Sequence, residues 1–271
     1  MFFYSNIIKN KIFPNSRFSR VEIETHNFCN NECHFCPNKL SNENINFMST
    51  KLFKKIILEL KEINYKGIIS PHFYNNPLYD NRFFSFLDFI EEELNKSKIE
   101  VYLNSNSLKE KNVKRILKYK TVSTLIISDY KLVNLKKIKR FIRSLPLKLK
   151  RKIVYKNINE NSMLHNIGSF KSSQNTFSFS RCQLPINYLT INHKGEVLLC
   201  CNDYNSNHVF GNINETKITK IWDSKEYSKI RKEIFKGNIK FKMCKSCSKQ
   251  GKEKTIYNPI YLEDVINSKE I

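Results

Sequence analysis

Arg20-Val-Glu-Ile-Glu-Thr-His26, followed at once by Cys29-Asn-Asn-Glu-Cys33-His-Phe-Cys36, decides how this chain reads. The first seven residues alternate apolar and polar, the period of a half-buried strand. The cysteines sit on the loop that leaves that strand, at CxxxCxxC spacing. Three thiolates within eight residues can hold three corners of an iron–sulfur cube, leaving the fourth iron open to a small molecule. A zinc site is the weaker alternative. Structural zinc takes four protein ligands, and this triplet is not its usual spacing.

Working outward, strands and helices alternate. Ser49 is placed to cap a helix running to about Lys66, with Leu52, Ile56, Leu60 and Ile63 on one face. Strands are expected at 67–73, 99–104, 122–128 and 151–156, and helices at 82–96, 108–119 and 134–144. This order favours a parallel sheet with right-handed crossovers. The Asn/Ser-rich stretch 157–181 reads as a short helix plus a weak sixth strand. Five or six βα units do not complete an eight-stranded barrel. The fold class is therefore α/β, a partial (β/α)6 TIM-like barrel over residues 1–181.

After Cys182 the texture changes. Asn187–Cys200 reads as two strands around a His193-Lys194-Gly195 turn, and 211–235 as a turn followed by an amphipathic helix. Cys244-Lys-Ser-Cys247 is a CxxC knuckle. Cys182, Cys200, Cys244 and Cys247 form a second four-thiolate set, suited to a fully ligated auxiliary 4Fe–4S cluster or to zinc. This small unit, a β-hairpin plus a helix, spans 182–250, and 251–271 is a polar tail. Cys201 is left over. It is an alternative ligand to Cys200, a buried small residue, or a hydrogen-atom donor.

Composition sets bounds. The 271 residues are 40% hydrophobic and 13% aromatic, as in a folded globular protein. No apolar run reaches the ~20 residues of a membrane span, and the start lacks the pattern of a signal peptide, so a cytoplasmic location is expected. The net charge of +22 suggests nucleic acid at first sight. However, the chain has no alanine and only 6 glycines, and lysine and asparagine are abundant, as an AT-rich genome would produce. The lysines recur along the chain without an arginine–aromatic stripe for stacking bases. Nucleic acid and membrane are thus not the expected partners.

The CxxxCxxC loop after a first strand resembles the radical SAM superfamily, and the resemblance extends over about residues 18–250. It implies that the open iron chelates S-adenosylmethionine. One electron from the cluster then yields a 5′-deoxyadenosyl radical that takes hydrogen from an unactivated C–H bond. It further implies that Phe35 lies near the adenine. Asn75 and Asn76 occupy the place of a Gly-Glu-Pro type motif at the methionine amino group, with Asn76 where a glutamate is usual. Asn104, Ser105, Asn106 and Ser128 match cofactor-binding segments after the third and fourth strands. The C-terminal pattern Cys182, Pro185, Ile191, Gly195, Val197, Cys200, Gly211-Asn212, Trp222, Cys244, Cys247 resembles the SPASM domain and its shorter twitch relative. The resemblance also implies flavodoxin or ferredoxin as electron donor, and a lysine-rich face would steer that encounter.

The expected activity is radical dehydrogenation of a small polar metabolite such as an amino sugar or cyclitol. Tyr74, His72 and Lys156 are candidate bases by location. Alternatives are epimerisation with Cys201 as hydrogen donor, peptide modification, a zinc protein that binds nucleic acid, and a radical SAM fold that has lost its activity.

Overall fold

In this computed structural model the described residues are 17–31, 33, 36–40, 44–130, 134–158, 182–238 and 240–247. Phe35, the expected sixth strand after residue 158 and the tail 251–271 lie outside them. The order is β1 (Arg20–Ile23), α1 (Thr50–Glu62), β2 (Ile68–Ser70), α2 (Phe83–Glu93), β3 (Lys98–Asn104), α3 (Glu110–Lys118), β4 (Val122–Tyr130), α4 (Leu135–Arg143), α5 (Leu147–Lys150) and β5 (Ile153–Ile158). Then follow α6 (Leu184–Asn187), β6 (Tyr188–Ile191), β7 (Glu196–Leu198), β8 (Val209–Asn212), α7 (Ile218–Trp222), α8 (Lys225–Lys236) and α9 (Lys242–Ser246).

All eight strands form one open sheet in the order β5-β4-β3-β2-β1-β6-β7-β8. β1 to β5 are parallel, as the alternation with helices requires. β6 also runs parallel to β1, and only β7 and β8 are antiparallel. The expected 188–200 hairpin is present, but its first strand extends the barrel sheet instead of standing apart from it. Among the described residues it is this strand that supplies the sixth parallel position.

Register divides the sheet into two faces. Val21, Ile69, Ile99 and Leu189 lie side by side and are fully buried, with Val101, Leu125 and Ile153 following on the same face. α1 to α4 bury Leu52, Ile56, Leu60, Leu87, Ile90, Val113, Ile116 and Ile138 in the same core. The opposite face carries Arg20, Glu22, Ser70, Glu100, Tyr102, Thr190 and Ser128. The barrel interior is therefore polar, the reverse of the half-solvated face that the 20–26 alternation alone suggests.

Local signals were mostly obeyed. The Ser49 hydroxyl accepts from Leu52 N at 3.1 Å and starts α1. That helix ends at Glu62 rather than Lys66, because Asn64 turns into the left-handed region (φ 50°). β1 stops at Ile23 and β2 at Ser70, shorter than expected, since the chain beyond each turns over the sheet edge to make loops. Gly195, at φ +85°, makes the β6–β7 turn. The helix expected as one piece after 211 is two, broken where Ser224 caps α8 through Tyr227 N. The CxxC knuckle closes α9 rather than standing as a bare turn.

Candidate functional site

Loops leaving the carboxyl ends of β1, β2, β3 and β4 meet at one end of the sheet, the usual place for ligands in parallel α/β folds. His26 anchors the cysteine loop. Its Nε2–H donates to the Asn76 carbonyl at 3.0 Å, and its Nδ1 accepts from Phe28 N at 3.2 Å. Burial, opposed in part by Asp80, lowers its pKa to about 4, so at neutral pH it is an uncharged bridge. Asn76 N donates in return to Phe28 O at 2.9 Å.

Cys29, Cys33 and Cys36 are half-buried, and Cys36 N donates to Cys33 O at 2.9 Å. Burial raises the thiol pKa values of Cys29 and Cys33, and for Cys33 the charge of Cys29 adds to it. Two N–H groups point at the Cys29 sulfur, from Asn31 N at 3.5 Å and from Asn104 Nδ2 at 3.8 Å.

Beside this loop lies an uncharged amide and hydroxyl network. Asn30 Oδ1 accepts from Asn76 Nδ2 (2.7 Å), Asn104 Nδ2 (3.2 Å) and Ser107 Oγ (3.3 Å). Asn76 Nδ2 also reaches Ser107 Oγ at 2.6 Å, and its Oδ1 accepts from Leu78 N. Asn106 Nδ2 donates to Asn31 Oδ1 at 3.0 Å. The structure thus brings Asn76, Asn104 and Asn106 to the cysteine loop. Asn75 instead turns inward, accepting from Phe73 N at 2.9 Å and facing Thr25. Ser105 is committed below the site, donating to Asp129 Oδ1 at 2.6 Å. Ser128 pairs in register with Asn104 on the concave face.

The second set is more enclosed. Cys200, Cys244 and Cys247 are buried and Cys182 is half-buried. Burial raises the thiol of Cys182 to about 11, that of Cys244 to about 12 and that of Cys200 well above its ordinary value, and neighbouring cysteines add to each of these. Asn202 donates twice into this set, from N to Cys200 Sγ and from Nδ2 to Cys247 Sγ, each at 3.4 Å. Asp203, fully buried, fixes the adjoining loop through Asn207 N (3.0 Å) and His208 N (2.8 Å). Arg231 stacks 3.7 Å from the Trp222 ring centre and 4.2 Å from that of Tyr227, closing the unit from below.

Tyr74 stands between the loops that carry the two sets, and its carbonyl accepts from Asn38 Nδ2, two residues past Cys36, at 3.1 Å. After burial, its phenol is pushed well above the ordinary tyrosine range by Cys201, Cys36, Cys200 and Glu22, in that order. It also meets Tyr204 edge-on at 5.6 Å. Three further groups shape this region, two of which, Glu24 and Arg20, sequence reasoning passed over. Glu24 Oε2 accepts from His193 N (3.1 Å) and Nδ1 (2.7 Å), tying the β6–β7 turn to β1. Asp129 holds Ser105 and the Tyr155 hydroxyl. Arg20 contacts Glu100 (2.7 Å), Glu22 (3.3 Å) and the Tyr102 hydroxyl (2.9 Å). His72 stacks on Tyr102 at 4.9 Å rather than facing the cysteines. The only prior signal for these was their period-2 spacing.

Among the described residues no three cysteine, histidine or acidic groups close on a point at single-ion spacing. The donor chemistry nonetheless fits larger clusters: soft sulfurs grouped as three and four, with N–H groups aimed at the sulfurs.

Fold and site together resemble those of radical SAM enzymes with a C-terminal auxiliary iron–sulfur domain. Residues 182–248 match the SPASM iron–sulfur cluster-binding domain. The chain is 28% identical over 239 residues to the S-adenosyl-L-methionine-dependent 2-deoxy-scyllo-inosamine dehydrogenase of Niallia circulans, covering 85% of this chain and 93% of that protein. The crystal structure of BtrN in complex with AdoMet and 2-DOIA superposes with a TM-score of 0.76 at 27% identity, over 86% of this chain and 94% of that one. SuiB of Streptococcus suis bound to its precursor peptide SuiA shares the fold alone, with a TM-score of 0.58 at 16% identity over 84% and 70% of the two chains. No helix among the described residues is long and apolar enough to cross a membrane.

Proposed function

We propose that this chain is a radical dehydrogenase of an aminocyclitol or a closely related amino sugar. Cys29, Cys33 and Cys36 hold the cluster that binds S-adenosylmethionine. Cys182, Cys200, Cys244 and Cys247 hold the auxiliary cluster in a unit spanning 182–250, after a barrel unit ending at 181. When bound, cluster and S-adenosylmethionine supply hydrogen-atom abstraction from an unactivated carbon. The observation that carries the reading is the polar inner face of the parallel sheet, on which paired charges and hydroxyls stand together. Glu22, Glu100, Arg20 and Lys156 share this face, with hydroxyls from Ser70, Tyr102 and Thr190 on the same wall. Such a surface suits a substrate that combines an ammonium with several hydroxyls, and this in a protein whose overall charge is strongly positive. The dehydrogenase relative supports the same class.

In this arrangement Asn76, Asn104 and Asn106 orient the methionine end of S-adenosylmethionine with neutral amides where a carboxylate is usual. Phe35 serves the adenine. Tyr74, at the meeting point of both thiol sets and Glu22, is placed to hold the substrate carbinol, and burial keeps its phenol protonated at neutral pH. The site takes a small molecule, and a one-electron carrier of the flavodoxin or ferredoxin type reduces it.

The test is iron and acid-labile sulfide after anaerobic reconstitution, on wild type and on the Cys29/Cys33/Cys36→Ala variant. The expected counts are about eight irons falling to about four. S-adenosylmethionine cleavage is then assayed with and without 2-deoxy-scyllo-inosamine. Zinc in place of iron, or cleavage that no aminocyclitol stimulates, would sink the reading.

One observation favours a second reading, epimerisation. Cys201 is half-buried beside Cys200 and is the one cysteine of the eight that neither proposed cluster uses. If it returns a hydrogen atom, Cys201→Ala abolishes epimer formation and leaves abstraction intact.

A further inference from the structure

We propose that the face built by α3, α4 and α5 is the docking surface for the acidic side of a one-electron carrier protein. This rests on the radical SAM reading, because only a chain that must be reduced needs such a partner. The charge of this protein is not evenly spread. Residues 109–152 hold sixteen lysines and arginines but two acidic residues, Glu110 and Asp129. That stretch supplies +14 of the +22 net charge. A codon bias toward lysine acts along the whole chain and does not strip acidic residues from one segment.

Folding gathers these cations onto one surface. Val113, Ile116, Leu117, Ile138, Phe141 and Ile142 are buried, which turns Lys109, Lys111, Lys114, Lys118, Lys136, Arg140, Arg143 and Lys148 outward. α3 and α4 are neighbours, since Lys114 Nζ lies 5.8 Å from the Phe141 ring. The end of α5 joins them, as Lys152 Nζ donates to Leu117 O and Tyr119 O. Neither acidic residue weakens the face much. Asp129 is fully buried and engaged by Ser105 and Tyr155, and Glu110 lies 3.8 Å from Lys114.

The face also begins at the cluster loop. Asn106, just ahead of α3, donates to Asn31 of that loop at 3.0 Å. Asn134, at the start of α4, donates to Asn106 at 2.9 Å. A partner seated on the first turns of α3 and α4 is thus two hydrogen bonds from the loop bearing Cys29 and Cys33. Charge complementarity and this continuity select an electron carrier over other acidic partners. Opposed surface charge of this kind raises association rates by roughly 10- to 1000-fold at low ionic strength.

The experiment follows anaerobic reduction of the reconstituted enzyme by flavodoxin hydroquinone in a stopped-flow instrument, over a range of salt. Three proteins are compared: wild type, Lys109→Glu/Lys111→Glu/Lys136→Glu, and Lys225→Glu/Lys229→Glu/Lys232→Glu on α8, which carries the same change in net charge. The expected result is a drop of tenfold or more in the second-order rate at low salt, with a flatter salt dependence, in the first variant alone. Dithionite, a small reductant, should reduce all three equally. Equal loss in both variants means only overall charge matters and overturns the proposal. So does loss confined to the α8 variant, or no loss in either. Binding of labelled poly-U RNA that disappears in the first variant while its reduction rate stays at the wild-type value reassigns the face to a nucleic acid and also overturns it. If dithionite fails to reduce the wild-type cluster at Cys29–Cys36, the proposal falls together with the reading beneath it.

Discussion

Replacing Arg20 with methionine should cost this protein about 3 kcal/mol. Arg20 is 3% exposed, and its guanidinium meets Glu100 at 2.7 Å, Tyr102 at 2.9 Å and Glu22 at 3.3 Å. It also lies 5.5 Å from the Tyr188 ring centre. Methionine fills similar space but removes the guanidinium from between two carboxylates that are 14% and 16% exposed. Breaking a buried ion pair from one side costs roughly 3–5 kcal/mol. Here the lower end applies, because Tyr102 OH still donates to Glu100 and Thr190 Oγ1 to Glu22, each at 3.3 Å. For a chain of this size about 3 kcal/mol corresponds to a melting temperature lower by roughly 6–12 °C. The assay is anaerobic thermal melting followed by Trp222 fluorescence. Adding Glu22→Gln and Glu100→Gln to Arg20→Met should restore most of the loss, since the cost lies in stranded charge and not in missing volume. A single-variant shift under about 2 °C, or no recovery in the triple variant, would refute the claim that the barrel interior is held by this charge cluster.

Three further outcomes follow from the site. Asn202→Leu removes the Nδ2–H donor to Cys247 Sγ while keeping iron content, and should move the auxiliary cluster to a more negative potential in EPR-monitored titration; an unchanged potential counts against its role. Cys200→Ser should lower iron by about four per chain and Cys201→Ser should not, whereas the reverse pattern would make Cys201 the ligand. His72, stacked on Tyr102, has its pKa lowered to about 3 by burial, with Arg20 and then His26 adding to the effect. Its unfolded form binds a proton from pH 6.5 downward and its folded form does not until about 3. It therefore stabilises the fold above pH 6.5, and that contribution fades as pH falls through this window. His72→Phe keeps the stack, and near pH 4.5 it should lose about 2–3 kcal/mol less than wild type relative to pH 7 in urea unfolding; parallel pH profiles would refute this.

Much of the site was legible because its chemistry is written at short range. Cysteine spacing after an alternating strand, Ser49 before an amphipathic run and Gly195 between two apolar strands are all decided within a few residues of chain. Local hydrogen bonds and thiolate geometry do not depend on what packs elsewhere. Three things were decided only by the tertiary structure. The first is the insertion of β6 parallel to β1, a pairing of residues about 168 positions apart that no local propensity encodes. The second is the direction of the polar face of β1. A period of two says that Arg20 and Glu22 share a side, but not whether that side meets water or Glu100 on a distant strand. The third is the placing of Tyr74 between both cysteine sets, which requires the β2 loop and the β7–β8 segment to meet. Spacing along the chain sets which groups are available to react. Which of them face one another follows from closing long loops between strands, and that is settled by burying apolar area across the whole sheet.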